Sequence, residues 1–362
     1  MPEIRVNLGD RSYGIYVGKG VTYRAGDLLD EIGLAGTPIF VVTDENVKNS
    51  LPDLVDWYAD LPGRRSRIVV LPPGEDTKSF DGFIALMDLL APFDDGDGVV
   101  LVAVGGGVIG DLTGFVASCY KRGVPFVQAP TTLLSQVDAS VGGKTAINHS
   151  LAKNLIGAFH QPSLVLADTD TLETLPERDL RSGIAEVIKH GVIADKKFFD
   201  RIDSTLYQAL EQDDVVLEDY VATSCAIKAE VVQADERDSK GRRAILNYGH
   251  TFGHAIEIAG DYSYAHGEAV AIGMACAGDL SVRMGLMSET DANRIESVLL
   301  KAELPVRADG LEQEKVMAAM RLDKKFIGGA NRFVLAEGIG KARLHKNVPE
   351  ELIGEILRRR VG

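Results

Sequence analysis

The chain has 362 residues, of which 45% are hydrophobic and 25% are charged, and its formal net charge is −14. This length predicts two domains, and the composition is that of a folded globular protein rather than a disordered chain. The acidic charge argues against a nucleic acid partner, because phosphate backbones bind cationic surfaces.

The three cysteines, Cys119, Cys225 and Cys276, are far apart and fit neither a disulfide framework nor a paired metal motif. The N-terminus lacks the basic and apolar regions of a secretion signal, and no run approaches the ~20 apolar residues of a membrane span. We therefore expect a cytoplasmic protein without a membrane partner.

Short β-rich runs alternate with helical stretches in the first half of the chain. The runs are Ile15 to Val17, Pro38 to Thr43, Arg67 to Leu71, Gly98 to Val104, Phe126 to Ala129 and Leu164 to Asp168. This alternation is typical of a mainly parallel sheet with helical crossovers. It predicts an α/β nucleotide-binding domain over residues 1–175.

The pattern changes to helical spacing after Leu175-Pro176, where proline suits the first turn of a helix. The predicted helical segments are Ile184 to Ile193, Leu217 to Asp235, His254 to Ile258 and Gly267 to Met287. Residues 176–362 are therefore predicted to form a mostly α-helical domain.

A glycine-rich turn follows the run Val99 to Val104. The segment Gly105-Gly106-Gly107-Val108-Ile109-Gly110 matches G-x-G-x-x-G and precedes a helical stretch that begins at Asp111. Glycines at such a turn let backbone N–H groups approach a phosphate. The motif predicts a dinucleotide or phosphate site, and a simple tight turn is the alternative.

The nucleotide site departs from the usual pattern. The acidic residue expected about twenty positions later is replaced by Ala129-Pro130-Thr131-Thr132. Carboxylates occur elsewhere, at Asp44 and Glu75. We therefore interpret this as a modified nucleotide site, in which the acidic residue comes from a different position.

The segment Gly143-Lys144-Thr145 resembles the end of a P-loop, but Asp138 stands where that motif requires its first glycine. A nucleoside triphosphate site is therefore disfavoured. Lys144, Lys153 and Asn154 remain candidate ligands for a phosphate or carboxylate, and solvent-exposed surface residues are the alternative.

Histidines are concentrated between residues 190 and 266, where four of the seven occur: His190, His250, His254 and His266. Such a cluster indicates a divalent metal, a proton shuttle or both, and buried histidines bonded to backbone carbonyls are the alternative. Thr251 excludes the H-E-x-x-H metalloprotease signature.

Glu186 and Lys189 lie three residues apart on a predicted helix, so they can form a simple salt bridge. With His250 and His266, however, Glu186 also completes a set of two histidines and one carboxylate. Such a set holds zinc and leaves positions open for substrate oxygens.

Five motifs together resemble the 3-dehydroquinate synthase family, over most of residues 40 to 335. They are Gly-Gly-Gly-Val-Ile-Gly-Asp at 105–111, Gln-Val-Asp-Ala-Ser-Val-Gly-Gly-Lys at 136–144, Ala-Glu-Val-Ile-Lys at 185–189, Leu-Asn-Tyr-Gly-His-Thr-Phe-Gly-His-Ala-Ile-Glu at 246–257 and His-Gly-Glu at 266–268. The resemblance implies conversion of 3-deoxy-D-arabino-heptulosonate 7-phosphate to 3-dehydroquinate and phosphate in the shikimate pathway. The implied steps are transient oxidation, β-elimination, reduction and intramolecular aldol closure.

The resemblance also implies that the protein uses NAD catalytically and binds a divalent metal, zinc or cobalt. It assigns the metal to Glu186, His250 and His266. It assigns NAD contacts to Asp44, Gly74, Glu75, Lys78, Gly107, Val108, Ile109, Gly110, Asp111, Thr131, Thr132, Lys144, Lys153, Thr171 and Thr174. Pro73 replaces an aspartate that many members carry, and Tyr248 replaces a common Phe or Leu.

The implied substrate is a small anionic sugar phosphate. The resemblance assigns catalytic roles to Lys144, Lys189, Asn247 and His254, and substrate contacts to Arg122, Asp138, Lys153, Asn154, Lys228, Arg243 and either Lys324 or its neighbour Lys325. In this family the arginine that matches Arg122 reaches a neighbouring subunit's site, which implies a homodimer.

Three other functions remain as alternatives. Another sugar phosphate cyclase, such as a 2-deoxy-scyllo-inosose or valiolone-type synthase, shares the metal and NAD, but Arg243 suits a substrate carboxylate. A metal-dependent polyol dehydrogenase would release reduced nucleotide. A nucleotide-sensing module without chemistry would not need the full set of Glu186, Lys189 and the three histidines.

Overall fold

The computed structural model describes residues 3–322 and 331–362. The chain divides into two compact units. The first contains the chain up to Leu175 together with Leu217–Glu236, and the second contains Pro176–Val216 and the chain from Arg237 onwards. The expected boundary after residue 175 coincides with one of these divisions.

The described residues form eleven strands and thirteen α-helices. The strands are β1 (Glu3–Val6), β2 (Tyr13–Val17), β3 (Ile39–Asp44), β4 (Ser66–Leu71), β5 (Val100–Gly105), β6 (Phe126–Pro130), β7 (Lys144–His149), β8 (Ala152–Phe159), β9 (Leu164–Ala167), β10 (Arg332–Ala336) and β11 (Ala342–Lys346). The helices are α1 (Ala25–Glu31), α2 (Glu45–Ser50), α3 (Pro52–Ala59), α4 (Phe80–Leu90), α5 (Gly107–Cys119), α6 (Glu177–Ala194), α7 (Lys196–Leu210), α8 (Asp214–Ala234), α9 (His250–Ala259), α10 (His266–Arg283), α11 (Glu289–Lys301), α12 (Gln313–Leu322) and α13 (Glu350–Arg360).

A seven-stranded sheet runs through the first unit in the order β1-β2-β9-β6-β5-β3-β4. All neighbours are parallel except β1 and β2, which are antiparallel. From β3 the chain adds β4 on one side and β5 on the other, so the strand order reverses between β3 and β5. Ligands of such sheets bind beyond the carboxyl ends of the strands at this reversal.

Both faces of the sheet are covered by apolar side chains. Val41 and Val102 belong to one buried cluster, whereas their chain neighbours Phe40 and Leu101 belong to the cluster on the other face. Strands that are buried on both faces read as continuous hydrophobic runs, which explains why the sequence identified them. The predicted α/β fold with a mainly parallel sheet is confirmed.

Helix α8 groups mainly with the first unit, whereas the sequence analysis placed residues 176–362 in one second domain. Its contacts explain the difference. The Gln233 side chain accepts a hydrogen bond from the Asn7 amide at 2.8 Å, and the Cys225 thiol donates to the Gln136 carbonyl. Helical spacing predicts the helix but does not identify the unit against which it packs.

The second unit is mostly helical and also contains the antiparallel hairpin β10–β11. Neither this hairpin nor the antiparallel hairpin β7–β8 in the first unit was predicted. Within the described ranges, none of the helices combines the length and apolar character needed to cross a membrane.

Candidate active site

The candidate NAD contacts in the first unit share one position in the fold, apart from Lys144 and Lys153 on the hairpin β7–β8. The other candidates follow the carboxyl ends of β3, β4, β5, β6 and β9: Asp44, Gly74 with Glu75 and Lys78, Gly107 to Asp111, Thr131 with Thr132, and Thr171 with Thr174. Because these strands are parallel, their carboxyl ends meet at one edge of the sheet. We call these residues the nucleotide edge.

The turn after β5 is closely packed by neighbouring side chains. A side chain on Gly105 would lie 2.8 Å from Ile109, and one on Gly110 would lie 2.7 Å from the Gln128 amide oxygen. Helix α5 begins at Gly107, directly after this turn, so its first amide groups are available to an anion. The geometry fits the phosphate site that the motif predicts.

Several side chains of the nucleotide edge also have structural partners. The Asp44 carboxylate accepts a hydrogen bond from the Val47 amide at 2.9 Å and thereby caps α2. The Thr132 hydroxyl accepts a hydrogen bond from the Ser135 amide at 3.2 Å. These two residues therefore stabilise the fold even without a ligand.

Lys78 and Asp111 form an ion pair of 2.5 Å, and their side chains are only 5% and 19% exposed. Burial raises the pKa of the Asp111 carboxyl above its ordinary value, although the Lys78 ammonium acts in the opposite direction. The pair joins the segment after β4 to α5, one turn after this helix begins. It also places a cation and a carboxylate beside the candidate phosphate site.

Asn148 connects the nucleotide edge to the hairpin β7–β8. Its side-chain amide donates to the Glu75 carboxylate at 2.7 Å, and its oxygen accepts from the Asn154 amide at 2.9 Å. Its own backbone amide donates to the Lys78 carbonyl at 2.8 Å. The sequence analysis did not assign a role to Asn148, which lies four residues after Lys144.

Asp138 and Lys228 meet within the first unit. The Lys228 ammonium contacts both the carboxylate and the backbone carbonyl of Asp138. Lys144 and Lys153 lie on the hairpin and are exposed. Lys228 on α8 is thus brought together with a residue ninety positions earlier in the chain.

Arg122 lies elsewhere in the first unit. It is exposed in the loop between α5 and β6, at the amino end of β6, and its φ is +69°. The nucleotide edge lies at the opposite ends of the strands. The structure therefore does not bring Arg122 together with the nucleotide edge of its own chain.

Glu186, His250 and His266 converge in the second unit, and we call them the metal cluster. The nearer Glu186 oxygen lies 3.5 Å from His250 Nε2 and 3.4 Å from His266 Nε2. One ligand atom from each residue lies within 4.8 Å of the others. The metal cluster unites α6 with the first residues of α9 and α10.

Close helix packing brings the three residues together. A side chain on Gly267 would overlap backbone atoms of Ser182 on α6, and one on Gly273 would overlap the Gly249 carbonyl. The Gly267 amide also donates to the Ser182 hydroxyl at 2.9 Å. Glycine is therefore needed for α10 to approach its two neighbours closely enough.

The metal cluster fits a divalent metal. Glu186 is fully buried, and its oxygen that faces the two histidines has no hydrogen-bond partner among the described residues, whereas its other oxygen pairs with Lys189. Ligand atoms about 2.1 Å from a tetrahedral zinc lie about 3.4 Å apart, close to the distances observed here. His250 Nδ1 faces the Tyr248 carbonyl at 3.1 Å, so Nδ1 carries the proton and Nε2 offers its lone pair towards Glu186.

The ionisable groups of the metal cluster shift one another's pKa values. Burial lowers the pKa of His250 to about 3, which keeps this imidazole neutral. Burial opposes a charge on His266 as well, but Glu186 and Glu257 outweigh it and raise the pKa of His266 to about 10. Burial would raise the pKa of Glu186, but Lys189 and the two histidines hold it well below its ordinary value.

The other candidates of the second unit lie around the metal cluster. Lys189 is fully buried and forms an ion pair with Glu186. The His254 ring lies 5.3 Å from the His250 ring and 6.3 Å from the His266 ring. Arg243 is buried and Asn247 is half-buried just before α9. The candidate Lys324 lies outside the described residues.

Glu257 is a second residue that the sequence analysis did not assign. It lies on α9, and its carboxylate is 3.5 Å from His266 Nδ1. The signal was its position seven residues after His250, because seven residues make two helical turns and place both side chains on one face. The Glu268 carboxylate is bound differently, by Arg178 at 2.7 Å and by the Ala265 amide.

Solved structures share this architecture. The 2-epi-5-epi-valiolone synthase of Streptomyces hygroscopicus, solved with NAD⁺ and Zn²⁺, has a TM-score of 0.88 and 28% identity and covers 98% of each chain. A 2-deoxy-scyllo-inosose synthase with NAD⁺, Co²⁺ and carbaglucose-6-phosphate has a TM-score of 0.88, with 26% identity over 99% of this chain and 100% of that one. A butanol dehydrogenase of Thermotoga maritima, at 16% identity and a TM-score of 0.67 over 96% of each chain, shares the fold alone.

Sequence comparison covers nearly the whole chain. Models described as 3-dehydroquinate synthase N-terminal and C-terminal match residues 68–182 and 183–326. Proteins named 3-dehydroquinate synthase from Nitrosospira multiformis and Acidithiobacillus ferrooxidans are 48% and 45% identical, over 99% of this chain and 98% of each relative. These matches confirm the resemblance. The chain therefore belongs to the 3-dehydroquinate synthase family.

Proposed function

We propose that this protein converts 3-deoxy-D-arabino-heptulosonate 7-phosphate to 3-dehydroquinate and inorganic phosphate, with NAD and a divalent metal as cofactors. The observation that carries the proposal is the metal cluster, in a chain that matches named 3-dehydroquinate synthases along almost its full length. The substrate loses phosphate and closes a carbocycle without net oxidation.

NAD supplies a reversible hydride acceptor and the metal supplies a Lewis acid when they are bound. Zinc or cobalt suits a site of two imidazoles and one carboxylate. We assign the metal to Glu186, His250 and His266. Lys189, buried against Glu186, compensates the carboxylate charge and offers an ammonium donor beside the metal cluster.

We assign NAD to the nucleotide edge. The amide groups at the start of α5 suit the pyrophosphate, since a helix N-terminus attracts anions. Asp44, at the strand-order reversal, is the carboxylate available for a ribose hydroxyl. Gly74 has a φ of +104°, a conformation that favours glycine, and it turns the chain so that Glu75 and Lys78 follow β4 at the same edge.

The substrate carries a phosphate and a carboxylate, which cationic side chains recognise. In the first unit, Lys144, Lys153, Asn154 and the pair Asp138–Lys228 are our candidates. In the second unit, the candidates are Arg243, Asn247 and His254. His254, one turn beyond His250, is our candidate for exchanging a proton with the phosphate.

The decisive assay follows phosphate release from 3-deoxy-D-arabino-heptulosonate 7-phosphate with NAD and zinc, while nicotinamide absorbance is recorded in the same cuvette. Release of phosphate without lasting NADH supports the proposal, because the hydride returns to the substrate. Accumulation of NADH without phosphate would identify a dehydrogenase. If neither signal appears, the proposed activity is wrong.

A carboxylate-free sugar phosphate is the second candidate substrate, since the 2-deoxy-scyllo-inosose synthase has the same architecture. Identities of 26–28% to those cyclases, against 45–48% to 3-dehydroquinate synthases, favour the first substrate. The buried Arg243 also suits a carboxylate. Glucose 6-phosphate in the same assay distinguishes the two substrates.

We also propose a homodimer in which Arg122 serves the neighbouring subunit. Arg122 lies away from the nucleotide edge of its own chain, and the nearby strand β8 exposes Leu155 and Phe159 by 40% and 46%. Leu155→Glu should therefore shift the protein towards monomers in analytical ultracentrifugation. A dimer that is unchanged in this variant would remove β8 from the proposed interface.

Cytoplasmic localisation is part of the same proposal. All three cysteines are free thiols, and Cys225 and Cys276 are buried. Such thiols suit a reducing compartment. Fractionation of cells that express the full-length protein tests the localisation directly.

A further inference from the structure

Glu257 is a buried carboxylate for which the proposed function gives no role. It is 9% exposed on α9, although glutamate is rarely buried without a partner. It is oriented towards His266, since one of its oxygens lies 3.5 Å from His266 Nδ1. The other ring nitrogen, Nε2, lies 3.4 Å from Glu186. The imidazole of His266 is thus held between two carboxylates.

The position of the proton on His266 decides which of its ring nitrogens can bind a metal. A neutral imidazole has one protonated nitrogen and one lone pair, and only the lone pair binds a metal. A carboxylate beside Nδ1 favours a proton there, which leaves the lone pair on Nε2 towards Glu186. His250 has the same arrangement, with the Tyr248 carbonyl beside its Nδ1.

An alternative role for Glu257 is that of a metal ligand. His254, Glu257 and His266 also form a set, with ligand atoms that lie within 4.8 Å of one another. That set would use His266 Nδ1, whereas the metal cluster uses Nε2. One neutral imidazole cannot serve both. The metal cluster contains the fully buried Glu186, whose oxygen facing the histidines has no hydrogen-bond partner in the described ranges, so it is the more favourable cation site.

We infer that Glu257 is a positioning residue, which holds His266 with Nδ1 protonated and Nε2 directed at the metal bound by Glu186 and His250. The inference rests on the proposed metal cluster. A partner of this kind changes metal affinity by about 10- to 100-fold in characterised sites. It does not change the number of metal ions bound.

Zinc affinity of the metal-free, full-length protein tests the inference, measured by competition with a chromophoric chelator. Glu257→Gln keeps an oxygen acceptor but loses the charge, so we expect about tenfold weaker binding, and Glu257→Leu should approach the upper limit of about 100-fold. Asp261→Asn is the matched control. It removes an exposed carboxylate four residues away, at a φ of +53° that asparagine tolerates, and should bind zinc like the wild type.

Long-range ¹H–¹⁵N correlation spectra of the zinc-loaded protein report the tautomer directly. A proton on His266 Nδ1 in the wild type supports the inference, and so does its partial loss in Glu257→Gln. If Leu at this position prevents folding, which thermal unfolding of the metal-free protein shows, the Gln variant still gives the answer.

Two results would overturn the inference. One is wild-type zinc affinity in both Glu257 variants. The other is a second bound zinc that Glu257→Gln removes, because Glu257 would then be a ligand. His250→Ala separates these results from failure of the proposed metal cluster: it should lose zinc whatever the role of Glu257, and wild-type zinc binding in that variant would refute the metal cluster itself.

Discussion

The nucleotide edge and the metal cluster are built in different ways. At the nucleotide edge, Asp44 caps a helix and Lys78 pairs with Asp111, so these side chains have partners within the protein. In the metal cluster, the Glu186 oxygen that faces the two histidines has no hydrogen-bond partner among the described residues, and the histidines approach it at 3.4–3.5 Å. Substitutions at the nucleotide edge should therefore cost folding stability together with binding. Substitutions in the metal cluster should mainly cost binding.

Removal of a metal ligand is the strongest test of this contrast. His250→Ala should lose bound metal together with activity, by about 1,000-fold or more, because Lewis-acid stabilisation is worth several kcal/mol. The fold should persist. Metal content by mass spectrometry, phosphate release and circular dichroism together check the result.

His345→Ala is the matched control for that variant. His345 lies in the same unit and 3.7 Å from Glu337, away from the metal cluster, so this variant should keep its metal and its activity. Full activity with normal metal content in His250→Ala would remove His250 from the ligand set.

Helix packing supports the metal cluster, and Gly267→Ala tests this support. The added methyl group would overlap the Ser182 backbone, so α6 and α10 must separate. We expect about 3 kcal/mol of lost stability, at the upper end for overpacking, and weaker zinc binding because His266 moves away from Glu186. Denaturant unfolding and zinc competition measure the two effects.

Gly278→Ala provides the control on the same helix. Its new methyl group would meet neighbours at 3.8–3.9 Å, which is ordinary contact, so stability should be unchanged or rise by up to about 1 kcal/mol from helix propensity. Equal effects of the two substitutions would mean that close approach of the helices is not what positions His266.

Lys78→Met tests the nucleotide edge. The substitution leaves the Asp111 carboxylate without its cation, and we expect a loss of about 2 kcal/mol of stability together with weaker NAD binding. The loss is smaller than for a fully buried pair because 19% of the Asp111 side chain is exposed. Urea unfolding and NAD titration by calorimetry test both parts.

The double variant Lys78→Met with Asp111→Asn should recover part of the stability but not the NAD affinity, since it removes the unpaired charge. Lys19→Met, which breaks exposed pairs with Asp170 and Glu173, is the control. If Lys78→Met weakens NAD binding with no change in stability, the two regions do not differ as we describe.

The sequence predicted the sheet because its strands are buried on both faces and therefore form continuous apolar runs between turn residues. The hairpin β7–β8 was not predicted. Strand β8 is mostly exposed and carries Lys153 and Asn154, so no apolar alternation reveals it. The sequence analysis interpreted Lys153 and Asn154 as candidate ligands instead.

Spacing in the sequence linked His250 with His254, whereas the structure places His250 beside Glu186, sixty-four residues earlier in the chain. The donor chemistry of these residues and the family resemblance, rather than spacing, predicted that set. Glu257 was missed because its spacing from His250 indicates only a shared helix face, whereas its contact with His266 depends on the orientation of the His266 ring. Asn148 was missed for the same reason, since its role comes from contacts with Glu75 and Asn154.

The smallest effect is expected at Glu268, which joins α10 to α6 near the metal cluster without belonging to it. Hydrogen bonding to Arg178 lowers the pKa of Glu268 below its ordinary value of 4.5. The ionised carboxylate therefore stabilises the fold above that pH, and its contribution disappears as the pH falls through the lowered pKa. Because 58% of the Arg178 side chain is exposed, the pair should contribute less than about 1 kcal/mol.

Glu268→Gln keeps an oxygen acceptor for the Ala265 amide, so comparing the unfolding free energies of variant and wild type at pH 7 and at acid pH isolates the effect of the charge. A difference from the wild type that persists in acid would show that the cap, rather than the ion pair, holds this end of α10.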